Sequence, residues 1–153
     1  MMTTHNYTAD IYDIAVETFE LMCYMFPLDE SEVPDKQVKP EQCTTSVAHF
    51  EGAANGGMAI CATPNLLDAL AENMLGTEDA TREQKEGALC EMVNIVCGNV
   101  APFFSKDNEI CYIRPPRITG PGEKAEELFP EMKSETVPLH LDEGSAVITV
   151  YYS

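Results

Sequence analysis

Thr81-Arg82-Glu83-Gln84-Lys85-Glu86-Gly87-Ala88-Leu89-Cys90-Glu91-Met92-Val93-Asn94-Ile95-Val96-Cys97-Gly98-Asn99 reads as a helix that marks its own start. Thr81, with Gln84 three residues on, forms a capping box in which each side chain satisfies a backbone N–H that the first turn leaves without a partner. The pattern predicts a helix running to about Phe104. At about 100° per residue, Leu89, Met92, Val93, Val96, Val100 and Phe103 fall on one stripe, the face that seeks a core. Gly87, Glu91, Asn94 and Gly98 fall on the opposite stripe. A carboxylate and a carboxamide therefore sit one turn apart, facing solvent, bracketed by two glycines. Glycine inside a helix costs about 1 kcal/mol against alanine. Two of them beside an exposed polar pair mark a face that something must approach closely.

The flanking elements set the fold class. Upstream, Thr8 reads as an N-cap, and Ile11, Ile14, Ala15, Thr18, Phe19, Met22, Met25 and Phe26 recur at helical spacing until Pro27. Residues 27–41 hold Pro27, Pro34 and Pro40 and read as a surface loop. Two strands follow, Gln42 to Glu51 and Met58 to Thr63, with Asn55-Gly56 between them as a hairpin signal. Pro64 opens a helix over Asn65 to Leu75, with Leu66, Leu67, Leu70 and Leu75 apolar and Gly76 as its C-cap. Downstream of the long helix, Ile110 to Ile113 reads as a short strand that stops at Pro115-Pro116. Gly120-Pro121-Gly122 is a loop, and Lys124 to Leu128 reads as a single helical turn. Thr136 to Leu141 and Ala146 to Tyr152 flank Asp142-Glu143-Gly144-Ser145 as a second hairpin. The order α-β-β-α-α-β-β-β predicts an α+β fold, its long helices packed beside a mostly antiparallel sheet. The length of 153 residues fits one domain over 1–153, with 1–7 as a flexible N-terminus.

Composition narrows the function classes. Nine basic residues against 26 acidic ones give a formal charge of −17, with acid spread along the whole chain. Phosphate binding needs clustered Lys and Arg, so nucleic acid and anionic membrane surfaces are excluded as partners. No run of roughly 20 consecutive apolar residues offers a membrane span. Met1 to Tyr7 lacks the positive start and apolar run of a signal peptide, so a cytoplasmic protein is expected.

The six cysteines, at 23, 43, 61, 90, 97 and 111, show no C-x-x-C and no zinc-site spacing. Cys90 and Cys97 lie two helical turns apart, about 10 Å along the axis, too far to bridge. Most interrupt apolar runs, so all are expected to be buried, reduced packing residues. His5, His49 and His140 are far apart and have no paired carboxylates, so no metal site is expected. Asn55-Gly56-Gly57 lacks the Lys-Ser/Thr that would make it a phosphate loop.

Alone, E-x-x-N arises by chance about 0.4 times in a chain of this length. Its surroundings carry more. The run from Ala88 to Asn99 resembles the signature helix of the CheC/CheX family of chemotaxis phosphatases, which carries E-x-x-N followed by Gly-Asn. Glu91, Asn94, Gly98 and Asn99 match it. The family then shows a strand and a P-x-x-[IV]-x-G segment, which Pro115-Pro116-Arg117-Ile118-Thr119-Gly120 fits. The order of elements over most of the chain also follows the family, with CheX, the single-site form, the nearer likeness. Where members often carry Asp or Ser four residues before the Glu, this chain has Gly87.

The resemblance implies a phosphatase-type protein that hydrolyses the aspartyl phosphate of a CheY-like response-regulator receiver domain. Asn94 would orient the attacking water and Glu91 would pair with a lysine of the receiver. Gly87 and Gly98 would frame the docking face. The Mg²⁺ would belong to the receiver, and no cofactor of the chain's own is expected. The alternative is a non-catalytic receiver-binding or flagellar-switch-type module, which Gly87 favours and the retained Glu91 and Asn94 disfavour. CheX members dimerise through sheet edges, and Ala146 to Tyr152 reads as a terminal strand that needs pairing, so a homodimer is expected.

Overall fold

Helical and strand periodicities sort the chain into three helices and an antiparallel sheet. The computed structural model describes residues 7–33, 38–105 and 109–153. The elements run α1 (Tyr7–Cys23), β1 (Thr44–Gly52), β2 (Gly56–Ala62), α2 (Pro64–Leu75), α3 (Arg82–Val100), β3 (Cys111–Ile113), β4 (Arg117–Ile118), β5 (Lys133–Leu141) and β6 (Gly144–Tyr152). The order matches the sequence expectation but for β4, a two-residue strand inside the segment read only as a motif. The architecture is α+β.

The strands lie in the order β3-β1-β2-β6-β5, with β4 also on β1, and the named pairs are antiparallel. One face carries Ala48, Phe50, Met58, Ile60, Leu139, Ile148 and Val150, all buried against Ile11, Phe19, Leu66, Leu70, Leu89, Met92 and Val96 of the helices. The alternation that a half-buried strand shows in sequence is thus realised as a helix-covered face. On the other face Val47, Ala59, Phe129 and Tyr151 make a smaller cluster. Phe129 stacks on Tyr151 with ring centroids 4.5 Å apart.

Several sequence expectations are corrected. Asn55-Gly56 is not the centre of the hairpin turn. Gly56 and Gly57 are buried strand residues, because a Cβ on Gly56 would strike the Tyr151 carbonyl and one on Gly57 the Phe129 ring. Their smallness serves close packing, and the chain turns earlier, over Gly52 to Asn55, with Gly52 at φ 111. Tyr7 already belongs to α1 and stacks on Phe104, so Thr8 lies inside the helix, not at its cap. Residues 1–6, with His5, lie outside the described residues, as do 34–37 of the expected surface loop. That loop also contains two short 3₁₀ turns, Glu30–Glu32 and Pro40–Gln42.

Helix α1 ends four residues before Pro27. Tyr24 adopts φ 55, its N–H bonding the Glu20 carbonyl, which closes the helix with a left-handed residue. The change of direction sends Met25 inward, while Met22 and Phe26 are exposed. Leu75 and Phe103, also expected to be internal, are exposed too. Pro102 converts the end of the long helix into a 3₁₀ turn, Ala101–Phe104, so the apolar stripe loses its 3.6-residue phase and Phe104 packs in place of Phe103. Including that turn, the helix Arg82–Phe104 spans 23 residues, and an 18-residue window within it has mean hydropathy 1.3, the length and composition of a membrane span. A search for unbroken apolar runs passes over it, since Glu91, Asn94 and Asn99 interrupt the sequence. Its buried side packs on the sheet and the other helices.

The terminal strand is central, not peripheral. β6 pairs with β2 from Ala62↔Ala146 to Gly56↔Tyr152 and with β5 on its other side. Paired on both sides, Ala146 to Tyr152 offers no free edge for a dimer. β5, which begins at Lys133 and not Thr136, is the edge. Its Pro138 is a residue that central strands rarely accommodate.

All six cysteines are free, yet only Cys23 and Cys97 are fully buried, and Cys43, Cys61, Cys90 and Cys111 are half-buried. Burial, with a smaller contribution from Glu143, pushes the Cys23 thiol from 9.0 to about 11. Burial, with Cys111 nearby, pushes Cys97 to about 12. The folded chain keeps these protons after the unfolded chain has released them. The stability they contribute is therefore complete below pH 9.0 and lost as pH rises through about 11 to 12. Urea midpoints measured under reducing conditions should fall with rising pH above that onset. Cys97→Ala should flatten the fall; an unchanged slope in that variant would contradict the assignment.

Candidate functional site

The capping box that opens α3 is formed as its sequence predicts. The Gln84 N–H donates to Thr81 Oγ1 at 3.1 Å, and the Thr81 N–H donates to Gln84 Oε1 at 2.9 Å. From that start, Ala88, Leu89, Met92, Val93, Val96, Cys97 and Val100 are buried. Gly87, Glu91, Asn94 and Gly98 are all exposed on the far side.

Facing them is a wall from the sheet edge. β1 pairs with β3 through Phe50↔Ile113 and with β4 through Val47↔Arg117. Pro115 and Pro116 lie between and have no N–H to offer a ladder. The edge strand is split there, and the diproline stands beside α3. Gly87, Cys90, Glu91, Asn94, Ile113, Pro115 and Pro116 together line a shallow depression of about 300 Å³.

The sequence reading named Gly87, Glu91 and Asn94, and Pro115 only as part of a motif. The structure brings these four together. Gly98 borders the depression, since a Cβ there would touch the Ile113 Cδ1 at 3.6 Å. Asn99 is exposed further along the helix and does not line the depression. Gly120 is elsewhere: its N–H donates to Glu123 Oε1 at 2.9 Å, in a loop bordering the opposite face of the sheet. Cys90, Ile113 and Pro116 were not among the expected site residues. Cys90 lies next to the exposed stripe and accepts a hydrogen bond from the buried Ser46 hydroxyl, Sγ at 3.2 Å, which a core reading of cysteines misses. A second proline after a short strand was the available signal for Pro116.

Cations around α3 are already engaged. Lys85 pairs with Asp68 at 2.8 Å, Arg82 with Glu86 at 3.3 Å, and Arg114 with Glu51 at 2.9 Å. Among the described residues, no hydrogen bond or ion pair holds the side chain of Glu91 or Asn94. The depression thus presents an uncommitted carboxylate, able to accept from a cation, and a carboxamide that can donate and accept in one plane. Among the described residues, no group of three or more His, Cys, Asp or Glu is placed to hold a metal ion.

A family model described as chemotaxis phosphatase CheX matches residues 44–135. The chain belongs to the CheX family. Solved structures share its fold at low identity. The chemotaxis protein CheX from Vibrio vulnificus is 16% identical, superposes with a TM-score of 0.72 and is matched over 100% of both chains. A CheX from Borrelia burgdorferi, solved in complex with CheY, BeF3 and Mg²⁺, is 18% identical with a TM-score of 0.73, covering 96% of this chain and 97% of the other. FliY from Thermotoga maritima, 15% identical, gives a TM-score of 0.59 over 100% of this chain and 93% of its own. No curated protein matches the sequence.

The glycine at 87 is not required by the chain's own packing, because nothing lies within 4 Å of a Cβ built there. Gly87→Ala should therefore stabilise the fold by about 0.5–1 kcal/mol through helix propensity alone. Gly57→Ala, which would meet the Phe129 ring, should cost about 1–3 kcal/mol. Denaturant unfolding of both variants checks the pair, and a destabilised Gly87→Ala protein would show that this face is packed.

Proposed function

We propose that the chain hydrolyses the aspartyl phosphate of a CheY-type receiver domain, with α3 as the docking helix. What carries the reading is the uncommitted Glu91 and Asn94, side by side in a walled depression on the helix that the family model spans. A receiver holds its own phosphoryl group, Mg²⁺ and lysine. The remaining task is to place a water in line with the phosphorus–oxygen bond. Asn94 suits it, since its amide offers a donor and an acceptor with no charge to repel the phosphoryl oxygens. Water attacks the phosphorus, the aspartate oxygen leaves, and phosphate departs; no covalent intermediate on this chain is needed. Glu91 anchors the helix by pairing with the receiver's lysine. Such a partner places the chain in the cytoplasm.

Gly87 supports a second reading, a receiver-binding module without turnover, because it leaves no side chain where family members often carry Asp or Ser. A homodimer belongs to the proposal too. With β6 internal, sheet-edge pairing would fall to β5, and a monomeric mass by light scattering across micromolar concentrations would overturn it.

The two site residues should fail differently. Asn94→Ala removes the orienting amide and little contact area, so receiver binding should persist while hydrolysis falls about 10²-fold. Glu91→Ala removes a charge-assisted contact worth about 1.5–3 kcal/mol, so binding should weaken along with turnover. Both residues are exposed, and neither change should shift stability by more than about 0.5 kcal/mol. The measurements are the lifetime of phosphoaspartate in a loaded receiver and binding to a beryllofluoride-loaded one. Unaltered hydrolysis by Asn94→Ala would eliminate the catalytic role. Binding by wild-type protein without accelerated hydrolysis would favour the module.

A further inference from the structure

A second, larger cavity of about 980 Å³ lies on the face of the sheet away from the helices and reaches round to Arg82 and Glu86 at the start of α3, and two cysteines open into it. β1 and β2 pair with Thr45 opposite Cys61 and Thr44 opposite Ala62. Cys43 lies two residues before Thr45, and its backbone is extended, φ −106 and ψ 159, so it continues the pleat of β1. With side chains alternating along a strand, Cys43, Thr45 and Cys61 share the cavity face, while the Thr44 hydroxyl meets Arg82 of α3 and Ala62 joins the helix-side core. Both thiols are half-buried and free. Cys43 Sγ donates to the Lys39 carbonyl at 3.2 Å.

We propose that Cys43 and Cys61 form an oxidisable dithiol, a modification site that closes as a disulfide across the β1–β2 hairpin. Diagonal neighbours on antiparallel strands have Cα atoms roughly 7–8 Å apart, just beyond ordinary disulfide reach. Closure therefore asks for a displacement of roughly 1 Å. Cys43 is the end able to supply it, because it enters the sheet directly from the 3₁₀ turn Pro40–Gln42. The other four cysteines are placed differently: Cys23 and Cys97 are in the core, Cys90 takes its hydrogen bond on the α3 side of the sheet, and Cys111 lies in the edge strand β3.

The reaction balances with a small-molecule disulfide as oxidant. One protein thiolate attacks the reagent's disulfide, forming a mixed disulfide and releasing a thiol. The second protein thiolate attacks the first cysteine's own Sγ in that mixed disulfide, the intramolecular bond forms, and the reagent's other half leaves as a second thiol. Two electrons and two protons pass from the protein to the reagent. Burial first, and then the neighbouring Cys61, push the Cys43 thiol up to about 12. Oxidation should accordingly be slow at neutral pH and quicken as pH rises.

The bond would tie the start of β1 to the end of β2. That is the part of β1 whose Thr44 hydroxyl accepts from Arg82 at 3.0 Å and whose Ser46 hydroxyl donates to Cys90. The inference stands independently of the receiver reading.

The test is to hold the folded, full-length chain with oxidised glutathione, block remaining thiols by alkylation, and map the peptides by mass. The expected result is a Cys43–Cys61 cross-link at least tenfold more abundant than any other pair, reversed by dithiothreitol. It should be absent in Cys61→Ser and in Cys43→Ala. Cross-linking mainly elsewhere, such as Cys97 to Cys111, would overturn the proposal. So would a glutathione adduct that stalls on Cys43 or Cys61 in the wild-type chain, or no loss of thiol.

Discussion

The burial of one side of α3 is the constraint on which the rest depends. Leu89, Met92, Val93 and Val96 have no exposed surface, packed between the sheet and the other two helices. Rotating the helix by one residue would draw Glu91 or Asn94 toward the core, where an unpartnered carboxylate or amide is costly to desolvate. The direction of the polar pair is thus set by apolar packing behind it, not by any hydrogen bond at the site. This is how an exposed pair of flexible side chains comes to sit on a rigidly oriented frame.

The sheet supplies the second half of that frame. β1 carries α3 on its face and β3 and β4 along its edge, so the helix and the diproline wall are referred to the same strand. Ser46, buried in β1, donates to Cys90 of α3, which lines the depression. Among the described residues, Arg82, Lys85, Arg114 and Arg117 are paired with acids at 2.8–3.3 Å. The chain's acidity therefore remains largely unneutralised at its surface.

Legibility in the sequence followed the strength of the local signal. The capping box at Thr81 and Gln84, the Pro64 start and Gly76 end of α2, and the polar stripe of α3 rest on chemistry within one helical turn, and each could be read directly. The ends of α1 and α3 could not, because a left-handed Tyr24 and a 3₁₀ turn change the phase of an otherwise regular apolar pattern. Gly56 and Gly57 misled in another way. Glycine in sequence signals either a turn or a close approach, and only the distant Phe129 and Tyr151 decide between them. The same holds for β6, since its pairing with β2 joins residues more than 80 positions apart. In the site, the helix residues were visible from spacing. The walls, Ile113 and Pro116, came from a strand too short to carry a period.

Two prolines in the broken edge strand also bear on how another protein can approach. An intact edge offers a row of N–H and C=O groups onto which a foreign strand can be laid, the route by which many peptides are captured and many sheets aggregate. Between β3 and β4 that template is interrupted beside the depression, as Pro115 and Pro116 carry no N–H. A strand laid along this edge would lose its pairing beside the depression. Whatever is recognised here must be recognised by side chains against a helix, through shape and charge and not through backbone pairing, so selectivity rests on a few residues that can change without disturbing the sheet.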